Sequence, residues 1–326
     1  MQPFAWLRAS NEGDAVAAGA RGARFVAGGT TLVDLMKQGV ERPSAVVDIG
    51  RVPLARIEAT PSGGLRIGAL ATNTDVAYDA NVASRFAVLS QALLSGASPQ
   101  LRNLATVGGN LLQRTRCPYF RDLGSACNKR APGRGCDARG GFDRSHAVLG
   151  TSDACIATHP SDMCVALVAL DAVVLTRGPR GARAIAVRDF HTLPGAHPDV
   201  ENLLEPGELV THVELPAQPA GTRSVYSKVR DRESFAFALA SAAVVLHMEG
   251  GTIRRARVAL GGVATKPWRS DEAERELVGK APRLEVFASA ASAAMHGATA
   301  GKHNAFKIAL AKNVIASALA RAAGLA

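Results

Sequence analysis

A chain of 326 residues with 47% hydrophobic content and a formal net charge of +10 is long enough for two or three domains that each bury a core. No apolar run reaches the roughly 18 residues of a membrane span, and Asn11, Glu12 and Asp14 interrupt the amino end where a signal peptide needs an apolar centre, so no export signal of its own is expected. Aromatic residues are only 5%, with no stacking platform for bases, which sets nucleic-acid binding aside despite the charge, and the five cysteines sit in one segment, unlike a secreted disulfide framework.

In chain order, residues 24–27 read as a short strand, Gly28-Gly29 as a tight turn, and Thr30 or Thr31 as the start of a helix with Leu32, Val33, Leu35 and Met36 behind it. Glycines without a Cβ let backbone N–H groups approach an anion, and a helix start adds partial positive charge, so the arrangement suits a pyrophosphate. The same turn joins strand to helix in many α/β proteins without a ligand, and it is not the G-x-G-x-x-G fingerprint. Residues 45–49 and 65–67 follow as strands around turn chemistry at Pro61, Ser62, Gly63 and Gly64. Thr74 or Asp75 is expected to cap a helical stretch that continues through 86–94 and ends at Gly96, Ser98 and Pro99. A second glycine turn, Thr106-Val107-Gly108-Gly109-Asn110, then leads into the cysteine segment.

Cys117, Cys127, Cys136 and Cys155 have the spacing C-x9-C-x8-C-x18-C, in a loop holding Pro118, Gly124, Pro132, Gly133 and Gly135 and no apolar period. Loops this long are uncommon in compact domains unless something functional orders them, and for clustered cysteines a metal is the simplest agent. The lack of a close pair lowers zinc, and the wide spacing is also unlike compact ferredoxin runs, so spacing leaves a metal centre and a set of reactive or buried thiols both open. Residues 114–144 carry eight basic side chains against three acidic ones. Arginines there would stabilise an anionic 4Fe-4S centre, or they form a solvated basic loop. Cys164, with Leu167 and Val168 on the same helical face, is expected in the core and is the reserve ligand. Asp162 is placed as a helix N-cap and His159 as a turn residue with Pro160.

Residues 172–175 and 184–187 form a hairpin around Gly178, Pro179 and Gly181, and 207–216 a further strand holding Val210, Val213 and Leu215. Beyond Pro216, residues 224–228 are extended, 235–248 are apolar, and Gly250-Gly251 turns into 253–260 as a hairpin. Helices are expected over 271–278, 284–295 and 304–323, the last with Phe306, Ile308, Leu310, Val314, Ile315 and Leu319 on its apolar face and Lys307, Lys312 and Arg321 on its polar one. No acid/base dyad or nucleophile triad is found, so no catalytic residue is assigned.

The stretches AGGTTL (Ala27 to Leu32), TVGGN (Thr106 to Asn110) and HPSD (His159 to Asp162) resemble the FAD-binding subunit of the molybdenum hydroxylases, the xanthine dehydrogenase and aldehyde oxidoreductase family, along the whole chain. The runs QRTRCPYFRD, CNKR, PGRGC and ACIATHPSD are similar to the bacterial subgroup whose flavin subunit also carries a 4Fe-4S cluster, as in the periplasmic aldehyde oxidoreductase and 4-hydroxybenzoyl-CoA reductase. The resemblance implies an α+β fold: an FAD-binding domain of the PCMH/vanillyl-alcohol-oxidase type over 1–218, with α/β subdomains of about 1–58 and 59–218 and a 4Fe-4S loop at 113–156. A sheet-and-helix domain of the CO dehydrogenase flavoprotein C-terminal type follows over 219–326. It implies flavin contacts at Val26, Ala27, Gly28, Gly29, Thr30, Thr31, Leu32, Gly96, Thr106, Gly108, Gly109, Asn110, Gln113, Asp162, Val210 and Lys228, with Cys117, Cys127, Cys136 and Cys155 as cluster ligands.

The implied partners are a large molybdenum-cofactor subunit and a small 2Fe-2S subunit, with electrons passing from the 2Fe-2S clusters to FAD here and on to an external acceptor; the isolated chain would not act on the substrate. An FAD subunit of the xanthine dehydrogenase or hydroxybenzoyl-CoA reductase type is the alternative, and a stand-alone flavin oxidase or a zinc-stabilised adaptor without a redox role are readings from other classes. Where the animal enzymes stack an aromatic residue on the flavin this sequence has Gly96, so a quinone, a carrier protein or oxygen is as good an acceptor as NAD. The expected compartment is the cytoplasm, or the periplasm by co-export with a signal-bearing partner.

Overall fold

The computed structural model describes residues 1–325 and is built on three sheets. The amino-terminal one is wholly parallel, with Ala45–Asp48 between Ala5–Arg8 and Arg24–Val26. Helix Glu12–Ala20 connects the outer strands; Asn11 caps it by accepting the Asp14 amide at 2.9 Å. Helix Leu32–Lys37 crosses from Arg24–Val26 to the central strand, which leaves the Gly28-Gly29 turn at the carboxyl end of a parallel strand, where α/β sheets offer backbone amides to ligands.

The second sheet is antiparallel, in the order Ile57–Ala59, Leu65–Gly68, Leu209–Leu215, Val173–Gly178, Gly181–Ala186. The expected hairpin around Gly178 and Gly181 is its outer pair, and Leu209–Leu215 threads between strands far from it in sequence. Its helices include Ala87–Ser95, Pro99–Leu104, Val107–Leu111 and Asp162–Ala169. Two caps differ from the sequence reading. Thr72, not Thr74 or Asp75, accepts the Asp75 amide at 3.1 Å, and Ser161 rather than Asp162 caps Asp162–Ala169 by accepting the Cys164 amide at 3.0 Å. Ser161 is extended at φ −84° and ψ 116°, so its hydroxyl reaches the amide of the third helical residue, while Asp162 is the first helical residue and its carboxylate is taken up by Tyr226 and Lys228.

The third sheet is antiparallel, Trp268–Arg269, Thr252–Gly261, Ala240–Glu249, Arg223–Val229, with helices Asp271–Leu277, Leu284–Ala294 and Phe306–Ala323 on one face. Its other face packs Tyr226, Ala243, Val245 and Ala259 into the core that holds helices Ala87–Ser95 and Asp162–Ala169. Burial on both faces explains why Ala242–Leu246 is a continuous apolar run instead of an alternating one. The strand begins at Ala240, so 235–239, read as the start of that run, are a loop.

Lys307 also departs from expectation. It is completely buried, its ammonium donating to the carbonyls of Ser145 and His146 at 3.0 Å each and of Gly262 at 2.6 Å. The loop 143–149 lies across the start of Phe306–Ala323 and takes that side chain as its anchor.

Candidate functional site

The two glycine turns meet. Gly28 packs so closely on the chain ahead of the second turn that a Cβ there would lie 1.7 Å from the Leu104 carbonyl oxygen, and Gly29 adopts φ +69°, a left-handed conformation natural to glycine. Among the described residues the N–H groups of Gly28, Gly29, Thr30 and Thr31 donate to no protein acceptor. Four open amides at a strand-to-helix turn form an anion cradle. The second turn is held rigid: Gly108 N–H donates to Ala69 O at 2.8 Å, and Thr106 caps Val107–Leu111 by accepting the Gly109 amide at 3.2 Å.

A cavity of about 620 Å³ opens on one side of the turns, walled by Val26–Leu32, Thr106, Gly108 and the strand residues Leu209 and Val210. A second, of about 430 Å³, opens on the other, walled by Gly96, Asn110, Gln113, Asp162 and Lys228. Thr30, Thr31 and Gly109 line both, so the two chambers flank the turns and share a wall there. All sixteen residues expected around the cofactor line one chamber or the other.

In the smaller chamber Lys228 Nζ lies 2.7 Å from Asp162 Oδ2 and 3.0 Å from Ser95 O, and Tyr226 donates its hydroxyl to Asp162 Oδ1. The Asp162–Lys228 pair is almost fully buried, so it is a fixed dipole rather than a solvated surface pair. Burial, and then the charge of Asp162, hold the Tyr226 phenol well above its usual range, so it remains a donor. Asn110 Oδ1 accepts from Ser161 Oγ at 2.7 Å, which ties the second turn to the start of Asp162–Ala169. At Gly96 a Cβ would stand 3.3 Å from Asp162 Oδ2, so the missing side chain leaves room beside that carboxylate.

Sequence reasoning passed over Arg102, Arg116, Phe235 and Phe237, which also line this chamber. Arg102 is buried, donating to Gly96 O at 2.7 Å. Arg116 stacks on the Phe237 ring at 5.2 Å; burial, and then its neighbour Arg121, push its guanidinium down to about 10, with Asp34 opposing. The only signal for Phe237 was an aromatic residue at the edge of an apolar run.

Cys117, Cys127 and Cys155 form one buried group with Leu35, Phe120, Ala138 and Ala157, and Cys136 packs against it half-buried. All four thiols are free, and Cys127 and Cys136 face each other across an antiparallel bridge. Burial pushes Cys117 up to about 12 and Cys155 in the same direction, so these two thiols are protonated at neutral pH. Leu35 also lines the larger chamber, so the cysteine group and that chamber share its side chain.

The basic residues of this segment are mostly spoken for. Arg114 binds Glu41 and Glu201, Arg121 binds Asp34, Lys129 binds Glu201, Arg144 binds Asp231, and Arg130 caps the carbonyls of Tyr119, Phe120 and Ser125. They brace the loop, a role the sequence reading had not separated from charge stabilisation.

Cys164 is fully buried in the main core, as expected. Among the described residues, the one trio of His, Cys or carboxylate atoms lying within 4.8 Å of one another is His159, Cys164 and His191; no three of the loop sulfurs approach so closely. Nδ1 of His159 accepts the Ser161 amide at 3.3 Å, and burial and then the charge of His191 push its pKa well below the usual range, so the ring is neutral.

Comparison with known proteins decides the family. The model described as "FAD binding domain in molybdopterin dehydrogenase" matches residues 2–218, and the "CO dehydrogenase flavoprotein C-terminal domain" matches 224–322. The chain belongs to the FAD-binding medium subunits of the molybdenum hydroxylases. The aldehyde oxidoreductase FAD-binding subunit PaoB of Escherichia coli (strain K12) is 51% identical over 327 residues, covering 99% of both chains. The carbon monoxide dehydrogenase medium chain of Afipia carboxidovorans is 30% identical over 286 residues, 86% of this chain and 81% of that one.

Among solved structures, reconstituted CO dehydrogenase from Oligotropha carboxidovorans superposes with a TM-score of 0.78 at 27% identity, covering 100% of this chain and 99% of that one. Quinoline 2-oxidoreductase from Pseudomonas putida 86 gives 0.76 at 26%, covering 99% and 98%. The fold is thus the α+β flavin-domain architecture that the resemblance implied, and the protein is an oxidoreductase subunit. No helix among the described residues is long and apolar enough to cross a membrane.

Proposed function

We propose that this chain is the electron-transfer subunit of an aldehyde oxidoreductase-type molybdenum hydroxylase, holding FAD across its two chambers and a 4Fe-4S cluster on Cys117, Cys127, Cys136 and Cys155. The partners are a large subunit with the molybdenum cofactor and a small 2Fe-2S subunit. The observation that carries this reading is the pair of chambers flanking a turn with four open amides, because FAD is two bulky ends linked by a pyrophosphate. The similarity to PaoB along almost the whole chain supports the aldehyde class. When bound, FAD supplies a centre that accepts electrons and releases them to an acceptor, and an iron-sulfur cluster supplies a one-electron centre.

The chain's own work is binding, orientation and charge placement. The amides of residues 28–31 and the partial positive charge of helix Leu32–Lys37 offset phosphate charge, and the fixed second turn holds the wall that the chambers share. Val26, Ala27, Leu32, Thr106, Gly108 and Val210 wall the larger chamber; Gly96, Asn110, Gln113, Asp162 and Lys228 wall the smaller. Lys228, held by Asp162 and Ser95, sets a fixed buried ion pair into the wall of the smaller chamber, a polar edge that would orient a ring placed against it.

The four cysteines suit a cluster better than one zinc ion. None of the four stands in the close C-x2–4-C pairing usual for structural zinc. The test is anaerobic purification of the full chain followed by flavin, iron, sulfide and zinc analysis. FAD, with iron and sulfide in equal amounts, is expected. Cys117→Ala is expected to lose iron while keeping FAD, and Cys164→Ala to keep both. Zinc in place of iron, or iron that survives Cys117→Ala, would refute the cluster assignment.

A further inference from the structure

The cysteine loop is held in place by the far end of the chain. From Ser145 to Leu149 every backbone carbonyl, and the N–H groups of Val148 and Leu149, are met by a residue beyond 260. Val148 and Leu149 N–H donate to Val263 O at 2.8 and 3.0 Å, and Thr299 N–H donates to Val148 O at 2.8 Å. Asn304 Nδ2 donates to His146 O and Ala147 O at 3.3 and 3.4 Å, and Lys307 Nζ to Ser145 O and His146 O. Asp143 accepts the Lys302 and His303 amides at 2.9 and 2.7 Å, an approach so close that a Cβ on Gly301 would lie 1.9 Å from its carboxylate.

From this clamped segment one side chain enters the cysteine group. His146 is 1% exposed, and its Nε2 stands 3.1 Å from Cys117 Sγ; its Nδ1 is buried without a partner. A metal-bound thiolate offers only lone pairs, so the hydrogen between them belongs to Nε2.

We propose that His146 is a positioning residue that donates its Nε2–H to the Cys117 thiolate and so raises the reduction potential of the cysteine-held centre, and that Lys307 fixes its reach. This rests on the 4Fe-4S reading above. An N–H aimed at a ligand sulfur draws electron density from it, and the reduced, more negative state gains most from the bond. A histidine that only filled space could be replaced by an apolar side chain without electronic effect, and would not leave Nδ1 unpaired in the interior.

The experiment compares the anaerobically purified full chain with His146→Leu, His146→Gln and Lys307→Met. It measures iron and sulfide, the midpoint potential by EPR-monitored titration, and exchangeable-proton couplings of the reduced cluster in H₂O and D₂O. His146→Leu is expected to keep iron, lose one exchangeable coupling and lower the equilibrium constant for one-electron reduction roughly tenfold, about 59 mV. His146→Gln, whose side-chain N–H reaches the same place, restores most of both. Lys307→Met shifts the potential in the same direction by less.

Iron retained in His146→Leu with unchanged potential and couplings overturns the inference while leaving the cluster reading intact. Wild-type protein without iron overturns the reading itself. Should His146→Leu lose its iron, the decision passes to Lys307→Met, where retained iron at an unchanged potential also overturns the inference.

Discussion

Replacing Gly28 with alanine gives the sharpest test of the cradle. The added Cβ would sit 1.7 Å from Leu104 O and 2.6 Å from its carbonyl carbon. Both are backbone atoms, so no rotamer change relieves the overlap, and the two turns must part by roughly 1.5 Å. An amide displaced that far no longer bonds a phosphate oxygen. Losing one or two charge-assisted bonds costs about 2–4 kcal/mol, or about 30- to 1,000-fold in the Kd for FAD.

Gly108→Ala is the internal control. Its Cβ would meet Ala69 at 3.2 Å, a contact that a few tenths of an ångström relieve, so a loss of less than about tenfold is expected. FAD is titrated into stripped apoprotein and followed by quenching of its fluorescence, with circular dichroism melts to confirm folding. If folded Gly28→Ala binds FAD within about threefold of wild type, or no worse than Gly108→Ala, the backbone contact does not set the cradle and the argument fails.

Two further outcomes concern the contacts between domains. Burial, and then Arg144, push the Lys307 ammonium from 10.5 down to about 7, with Asp231 opposing. The unfolded chain therefore binds more protons between pH about 7 and 10.5, and stability rises with pH across that window by up to about 5 kcal/mol. Urea melts of Lys307→Met should lack that rise, and slopes parallel to wild type would refute it. Asp171 has the opposite sign. Burial alone would raise its pKa, but hydrogen bonds from Arg257 and Arg269, the charge of Arg269 and the bond from Arg255 bring it from 3.8 to about 2. Its contribution, up to about 2 kcal/mol and about 1 after solvent screening, is present above pH 3.8 and fades as pH falls to about 2. Asp171→Asn should lose that acid limb in melts between pH 2 and 4, and an unchanged limb would show that the clasp adds nothing.

Legibility in the sequence follows the range of the forces involved. The glycine turns, the two hairpins and the carboxyl-terminal helices are specified by residues within a few positions of one another, and the pattern of Gly, Pro and apolar spacing places those helices within two residues, whereas the strands of the first hairpin run up to three residues closer to its turn and the apolar strand of the second starts five residues later than read. The cap at Ser161 shows where local reading becomes ambiguous, since Ser161 and Asp162 are adjacent N-cap formers and the extended backbone at Ser161 decides between them. Lys307 was illegible for a stronger reason. Its acceptors lie at 145, 146 and 262, and only the folded chain brings three carbonyls to one ammonium. His146, Arg102 and Phe237 have the same character: each joins its site through loop contacts that no periodicity encodes. Cys164 was readable because a helical face of Leu167 and Val168 announced a core position.

The dependence of residues 143–149 on residues beyond 260 sets a timetable for biogenesis. At a synthesis rate of about 5–20 residues per second, the gap from Asp143 to Lys307 keeps the cysteine loop without its clamp for roughly 8 to 33 seconds after it leaves the ribosome. Over that interval the thiols are unshielded, and iron delivered then would meet a loop with no fixed shape. If the loop holds the proposed cluster, its assembly belongs after chain completion, and truncations that remove the last helix should yield flavin-domain fragments without iron.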